Sequence, residues 1–186
     1  MERCLNPHAE EAFMKIKEAQ QLLAQKKYKQ AAELLDFLLS SDKDNAELWY
    51  LRGVASMKLK KYDAAQDHFE RALFSDKKSK YYQTRGMAYL EIFQIHEAID
   101  AFENAIDLDQ TDVVSVFFLA ICFMFLDDPR SSDYMQMATA LNARKTKQLL
   151  LNFYNMFLKN DPAISNVQKS KILERIDTLE ANSVST

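Results

Sequence analysis

The stretch Tyr62-Asp63-Ala64-Ala65-Gln66-Asp67-His68-Phe69 has a counterpart on either side, and the three together decide the fold. Upstream stands Tyr28-Lys29-Gln30-Ala31-Ala32-Glu33-Leu34-Leu35, and downstream Ile95-His96-Glu97-Ala98-Ile99-Asp100-Ala101-Phe102. The small residue recurs as Ala31, Ala65 and Ala98, at steps of 34 and then 33 residues. The same steps carry Ala19 to Gly53 to Gly86, Leu35 to Phe69 to Phe102, and Asp42 to Asp76 to Asp109. A register held at that many positions over three copies is a structural repeat, in which each unit buries its apolar face on the next.

Each unit reads as two helices. Trp49, Gly53 and Ser56 share one face of a helix predicted over about 46–59. Ala65, Phe69 and Ala72 share a face of a second, over about 62–75. Leu59-Lys60-Lys61-Tyr62 is too short for anything but a tight antiparallel turn. Gly53 and Gly86 bring one backbone close, Ala65 and Ala98 let the partner helix approach, and Trp49 and Tyr82 fill the wider end of the wedge. Asp42, Asp76 and Asp109 fall where one unit ends and the next begins, where short polar side chains favour turns and caps.

Composition agrees. Among 186 residues there are only 2 Gly and 3 Pro, too few for the turns of an all-β protein or the phosphate loops of a doubly wound sheet. Lys plus Arg at 24 against Asp plus Glu at 27 leaves a net charge of -3, no electrostatic footprint for nucleic acid or an anionic membrane. The N-terminal residues lack the apolar core of a signal peptide, and the longest apolar run, Val113 to Leu126, is short for a membrane span. A soluble, cytoplasmic protein is expected.

These residues resemble the tetratricopeptide repeat family. Its pattern of Trp, Gly and Tyr followed by Ala, Phe and Ala is matched by Trp49, Gly53, Ala65, Phe69 and Ala72. Tyr82, Gly86, Tyr89, Ala98, Phe102 and Ala105 match it again. The first unit is a weaker match, with Lys15 at the Trp position and Ala19 at the Gly position, and Lys43, Lys77 and Gln110 replace the closing Pro. The resemblance implies an all-α, right-handed solenoid of antiparallel helix pairs forming a single domain over 1–186. Its repeats fall at about 12–44, 45–78 and 79–111, with a degenerate fourth at 112–142 and C-terminal capping helices at 143–181. Val116 and Ala120 take the Trp and Gly places of the fourth unit, and Asp128-Pro129 supplies a cap and a first-turn proline for its second helix.

No motif for catalysis is present: no G-x-S-x-G, P-loop, H-E-x-x-H or glycine-rich dinucleotide turn. His8, His68 and His96 fall at unrelated repeat positions and are expected near solvent, and Cys4 and Cys122 have no partner at metal-binding spacing. Lys26-Lys27, Lys60-Lys61 and Lys77-Lys78 read as solvated turns. The expectation is a non-enzymatic protein with no cofactor and no metal.

One face stands out. On the first helix of each unit, the residues turned about 100° from the Trp–Gly row are Ile16, Gln20 and Leu23; Tyr50, Val54 and Met57; Gln83, Met87 and Leu90; and Phe117, Ile121 and Met124. All but Gln20 and Gln83 are apolar, against 48% for the chain. In the family this face lines a concave groove, so Tyr50, Val54, Met57, Met87, Leu90, Phe117, Ile121 and Met124 are the candidate partner-binding residues. Three occupants compete: the chain's own C-terminal helices (rich in Leu149, Leu150, Leu151, Phe153, Met156 and Phe157), an apolar or helical segment of another protein, or a second copy. The carboxylate clamp of certain co-chaperones in the family is not expected. Its cation and amide places hold Ile16, Gln20, Leu51, Lys80 and Thr84, and a lone Lys80 cannot orient a carboxylate. The reading is an adaptor, scaffold or dedicated chaperone; the alternative is a structural subunit or homo-oligomer.

Overall fold

A computed structural model describes residues 7–178, with side chains from Glu11 onward except Ala12. Among the described residues nine α-helices follow one another: α1 (Pro7–Ala24), α2 (Tyr28–Ser41), α3 (Ala46–Lys58), α4 (Tyr62–Ser75), α5 (Ser79–Glu91), α6 (Ile95–Leu108), α7 (Val113–Phe125), α8 (Arg130–Phe153) and α9 (Asn166–Thr178). A π-helical turn, Tyr154–Leu158, extends α8. The chain divides into two compact units, Met1–Ala101 and Phe102–Thr186.

Each intra-pair turn ends its helix in the same way. Lys26, Lys60, Phe93 and Asp127 all adopt positive φ, between 53 and 60°. The N–H of the following residue then reaches back across the turn: Lys27 to Leu22 O, Lys61 to Ser56 O, Gln94 to Tyr89 O and Asp128 to Phe123 O, at 2.9–3.1 Å. These bonds satisfy carbonyls that the helix end leaves orphaned. Between pairs, the aspartates follow the helix ends rather than cap the starts. Asp42 and Asp76 sit just past α2 and α4, and each donates its N–H to the preceding turn. After Asp42 and Asp109, though not after Asp76, an N-terminal cap comes three residues later. Asn45 Oδ1 accepts from the N–H groups of Glu47 and Leu48, and Asp112 Oδ1 from those of Val114 and Ser115.

In the first unit, α3 packs on α4 and α2, and α5 returns onto α4. The core is continuous through Ala19, Leu35, Leu51, Ala65, Phe69 and Ala72. Gly53 explains the closeness of α3 and α4. A Cβ built there would lie 2.5 Å from Phe69 Cε1 and 2.6 Å from Cδ1.

In the second unit, α7 packs on α8. Asn142 breaks the helical backbone of α8 (φ -162, ψ 91), and its Oδ1 accepts from Lys145 N at 2.9 Å, so the segment after the break begins with its own cap. Asp128 accepts from the N–H of Arg130 at 2.9 Å, and its carboxyl is held below the ordinary range by hydrogen bonds from Arg130.

Candidate functional site

The face singled out in the sequence is built differently in the two units. In the first, Tyr50 projects from α3 toward α5 and is only 7% exposed. Its ring stacks on Tyr81 at 4.6 Å, Lys80 Nζ lies 5.0 Å from its centroid, and its hydroxyl is 3.3 Å from Thr84 Oγ1. Met57, on the same side of α3, is buried in the same core. Tyr50 therefore joins consecutive helix pairs, and neither it nor the buried Met57 lines an open trough. Ile16, Leu23 and Val54 pack half-buried against this core, and Met87 and Leu90 are half-buried on α5. Gln20 is exposed and donates from Nε2 to Glu47 Oε1 at 3.0 Å. Of this row in the first unit, Val54, Met87 and Leu90 keep part of their surface accessible, while Tyr50 and Met57 are buried.

In the second unit, Phe117 and Ile121 are buried together with Val116 and Ala138. Leu149, Leu150 and Phe153, from α8 beyond the Asn142 break, pack against this cluster, so that end of the row is covered by the chain's own helix. Phe117 meets Phe118 edge to face at 5.3 Å, and Phe118 stacks on Phe102 at 5.8 Å. Met124 is exposed.

Two residues depart from their sequence reading. Trp49 is half-buried and serves as a clamp as well as a wedge. Its Nε1 donates to Lys43 O at 2.6 Å, tying down the loop before α3, while Arg71 lies 4.7 Å over the ring. His68, expected near solvent, is half-buried and stacked on Trp49 at 5.6 Å. Burial lowers its pKa and the nearby Arg52 lowers it further, against the opposing effects of the Ala64 backbone and Asp36. Exposed aromatics also escaped the repeat pattern: Phe74, almost fully exposed beside Trp49 in a cleft of about 550 Å³, and Phe93 on the third turn. Neither belongs to a recurring apolar row, so periodicity carries no signal for them.

Cys122 is fully buried in α7, and burial pushes its thiol up to about 12. Among the described residues no group of three or more His, Cys, Asp or Glu side chains could hold a metal ion, and no helix is long and apolar enough to cross a membrane.

With this geometry, the comparisons with known proteins agree on the class. Two models described as tetratricopeptide repeat match residues 22–86 and 79–112. The chain is a tetratricopeptide repeat protein, an all-α fold of stacked helix pairs. Among solved structures it is similar to pilF of Pseudomonas aeruginosa, at 17% identity over 96% of this chain and 88% of that one, with a TM-score of 0.71. It is similar also to YrrB, described as a tetratricopeptide repeat protein with an unusual peptide-binding site, at 18% identity over 90% and 85% of the chains and a TM-score of 0.63. The second tetratricopeptide domain of Spaghetti (RPAP3), solved with an HSP90 peptide, matches at 27% identity over 53% of this chain and 92% of that one, with a TM-score of 0.50. No curated protein matches the chain in sequence.

Proposed function

We propose that the protein is a non-enzymatic interaction module, an adaptor or dedicated chaperone working in the cytoplasm. It holds an apolar or helical segment of a partner polypeptide against α3 and α5 of the first unit. The observation that supports this reading is a contrast between the two units. Phe117 and Ile121 are covered by Leu149, Leu150 and Phe153, whereas Val54, Met87 and Leu90 keep part of their apolar surface accessible. Methionine suits such a surface because its flexible thioether adapts to differing ligands. Peptide binding by YrrB and by the RPAP3 domain makes a polypeptide the natural ligand class.

Affinity on this reading comes from apolar burial, about 25 cal/mol per Å² before the costs of association, so capture persists at high salt. The test is a double substitution, Val54→Asp with Met87→Asp, used as bait for partners from lysate. Partners held by the native chain should be lost while far-UV circular dichroism is unchanged. Capture that survives both substitutions overturns the proposal. The covering of Phe117 and Ile121 by α8 favours a second reading for that part of the row: a surface occupied from within, contributing stability rather than recognition.

A further inference from the structure

The turns that close the helix pairs place side chains where glycine would be cheaper. A left-handed conformation is unfavourable for a residue with a Cβ, yet the two glycines of the chain lie inside α3 and α5, at Gly53 and Gly86. In the first unit the left-handed corners carry Lys26, Lys60 and Phe93. Lys27 and Lys61 follow directly, Lys29 and Lys58 flank them, and all six lysines are exposed.

The second and third turns lie side by side on one edge. Tyr62 Oη donates to Glu91 Oε2 at 3.1 Å, and Lys58 Nζ lies 3.9 Å from Glu91 Oε1, both spanning the second and third turns. One repeat earlier, the places of Tyr62 and Glu91 are taken by Tyr28 and Lys58. The position that holds a carboxylate at the third turn thus holds a lysine at the second. Among the described residues, Lys26, Lys27, Lys29, Lys60 and Lys61 form no ion pair, so the edge reverses the sign of a chain whose net charge is -3. Beside the second turn lies a cleft of about 430 Å³, lined by Lys60, Lys61, Tyr62, Asp63, Ala64 and Ile92. Phe93, 70% exposed, follows Ile92.

We propose that this edge docks a carboxylate-rich stretch of another polypeptide, with one apolar side chain seated in the cleft beside Ile92 and Phe93 and the flanking carboxylates meeting the lysines. The site is separate from the α3–α5 face and opposite to it in chemistry. Lysines recognise charge rather than fixed geometry, so the edge tolerates varied acidic sequences. A polypeptide fits better than an anionic membrane. The cleft is a local depression that a flat surface would not fill, and Asp63 and Glu91 within the edge oppose a continuous sheet of negative charge.

The test uses the full chain and fluorescence anisotropy of a labelled short peptide that carries one phenylalanine between runs of glutamate. Binding should weaken steeply as salt is raised, because exposed charges are screened beyond about 10 Å at 0.1 M. Lys60→Glu with Lys61→Glu should weaken it at least about tenfold, equivalent to roughly 1.4 kcal/mol. Phe93→Ala, and a peptide with alanine in place of phenylalanine, should each weaken it several-fold. Val54→Asp with Met87→Asp should leave it unchanged, which separates this site from the α3–α5 face. If the glutamate variant loses helicity by circular dichroism, Lys60→Gln with Lys61→Gln removes the charge without adding repulsion and must still bind more weakly. Equal binding by the folded lysine variants, no binding by the native chain, or binding of phosphatidylserine vesicles in place of the peptide overturns the proposal.

Discussion

Replacing Gly53 by alanine tests the close approach of α3 and α4 directly. Alanine is the better helix former by about 1 kcal/mol, so on local grounds Gly53→Ala should stabilise α3. The tertiary contact opposes it. The new Cβ would meet Phe69 Cε1 at 2.5 Å, Cδ1 at 2.6 Å and Cζ at 3.1 Å, so the ring must retreat by nearly an ångström. Phe69 has no solvent to retreat into, being fully buried with Tyr50 on one side, 6.2 Å between centroids. Overpacking of this kind costs about 1–3 kcal/mol, and a clash with several ring atoms belongs at the upper end. The net expectation is a loss of about 2 kcal/mol, which lowers the melting temperature by about 4–8 °C in a chain of this size. Thermal and urea unfolding followed by far-UV circular dichroism read it. Phe69→Leu supplies the control: it destabilises alone, but the double variant should be more stable than the sum of the single effects by about 1 kcal/mol or more. A Gly53→Ala protein as stable as the native chain, or strictly additive effects, would refute the account of how the pair packs.

His68 gives stability a pH dependence. Its folded pKa is lowered, by burial first and then by Arg52, so below about pH 6.5 the unfolded chain takes up a proton that the folded chain resists. Stability is full above that pH, falls as the medium is acidified toward the folded value, and should lose this component in His68→Gln, read from urea midpoints across the range. Phe93→Gly should raise stability by about 0.5–1 kcal/mol by relieving the left-handed corner, while weakening capture of the acidic peptide. Cys122, with its thiol pushed up to about 12, should react with a thiol reagent at neutral pH only as fast as the chain unfolds, measured in a Cys4→Ser background.

The helix pairs were legible because steric demands recur. Ala65 returns as Ala31 and Ala98 and Phe69 as Leu35 and Phe102, and a 3.6-residue period places them on one face without further information. The candidate face was legible in azimuth but not in depth. Tyr50 and Val54 lie one turn apart on the same side of α3, yet Tyr50 is stacked under Tyr81 while Val54 is half-buried. The difference is set by the neighbouring helix pair, which spacing within one helix does not report. The left-handed turns were hidden for another reason. The usual signals are Gly and Asn, and at three of the four corners Lys or Phe stands in their place, so the residue type there does not mark the backbone. His68 was misplaced because its partner is Trp49 on the facing helix, a contact that creates burial where the pattern shows only a polar residue.

The corners described above also separate shape from message. Their backbone bonds are the same whether Lys26, Lys60, Phe93 or Asp127 stands there, each N–H reaching the carbonyl three residues back at 2.9–3.2 Å. The main chain alone draws the corner, so the outward group can be exchanged with little consequence for the scaffold. Each pair of helices thereby displays one replaceable emblem, and a lineage could rewrite whom the protein meets by editing corners alone.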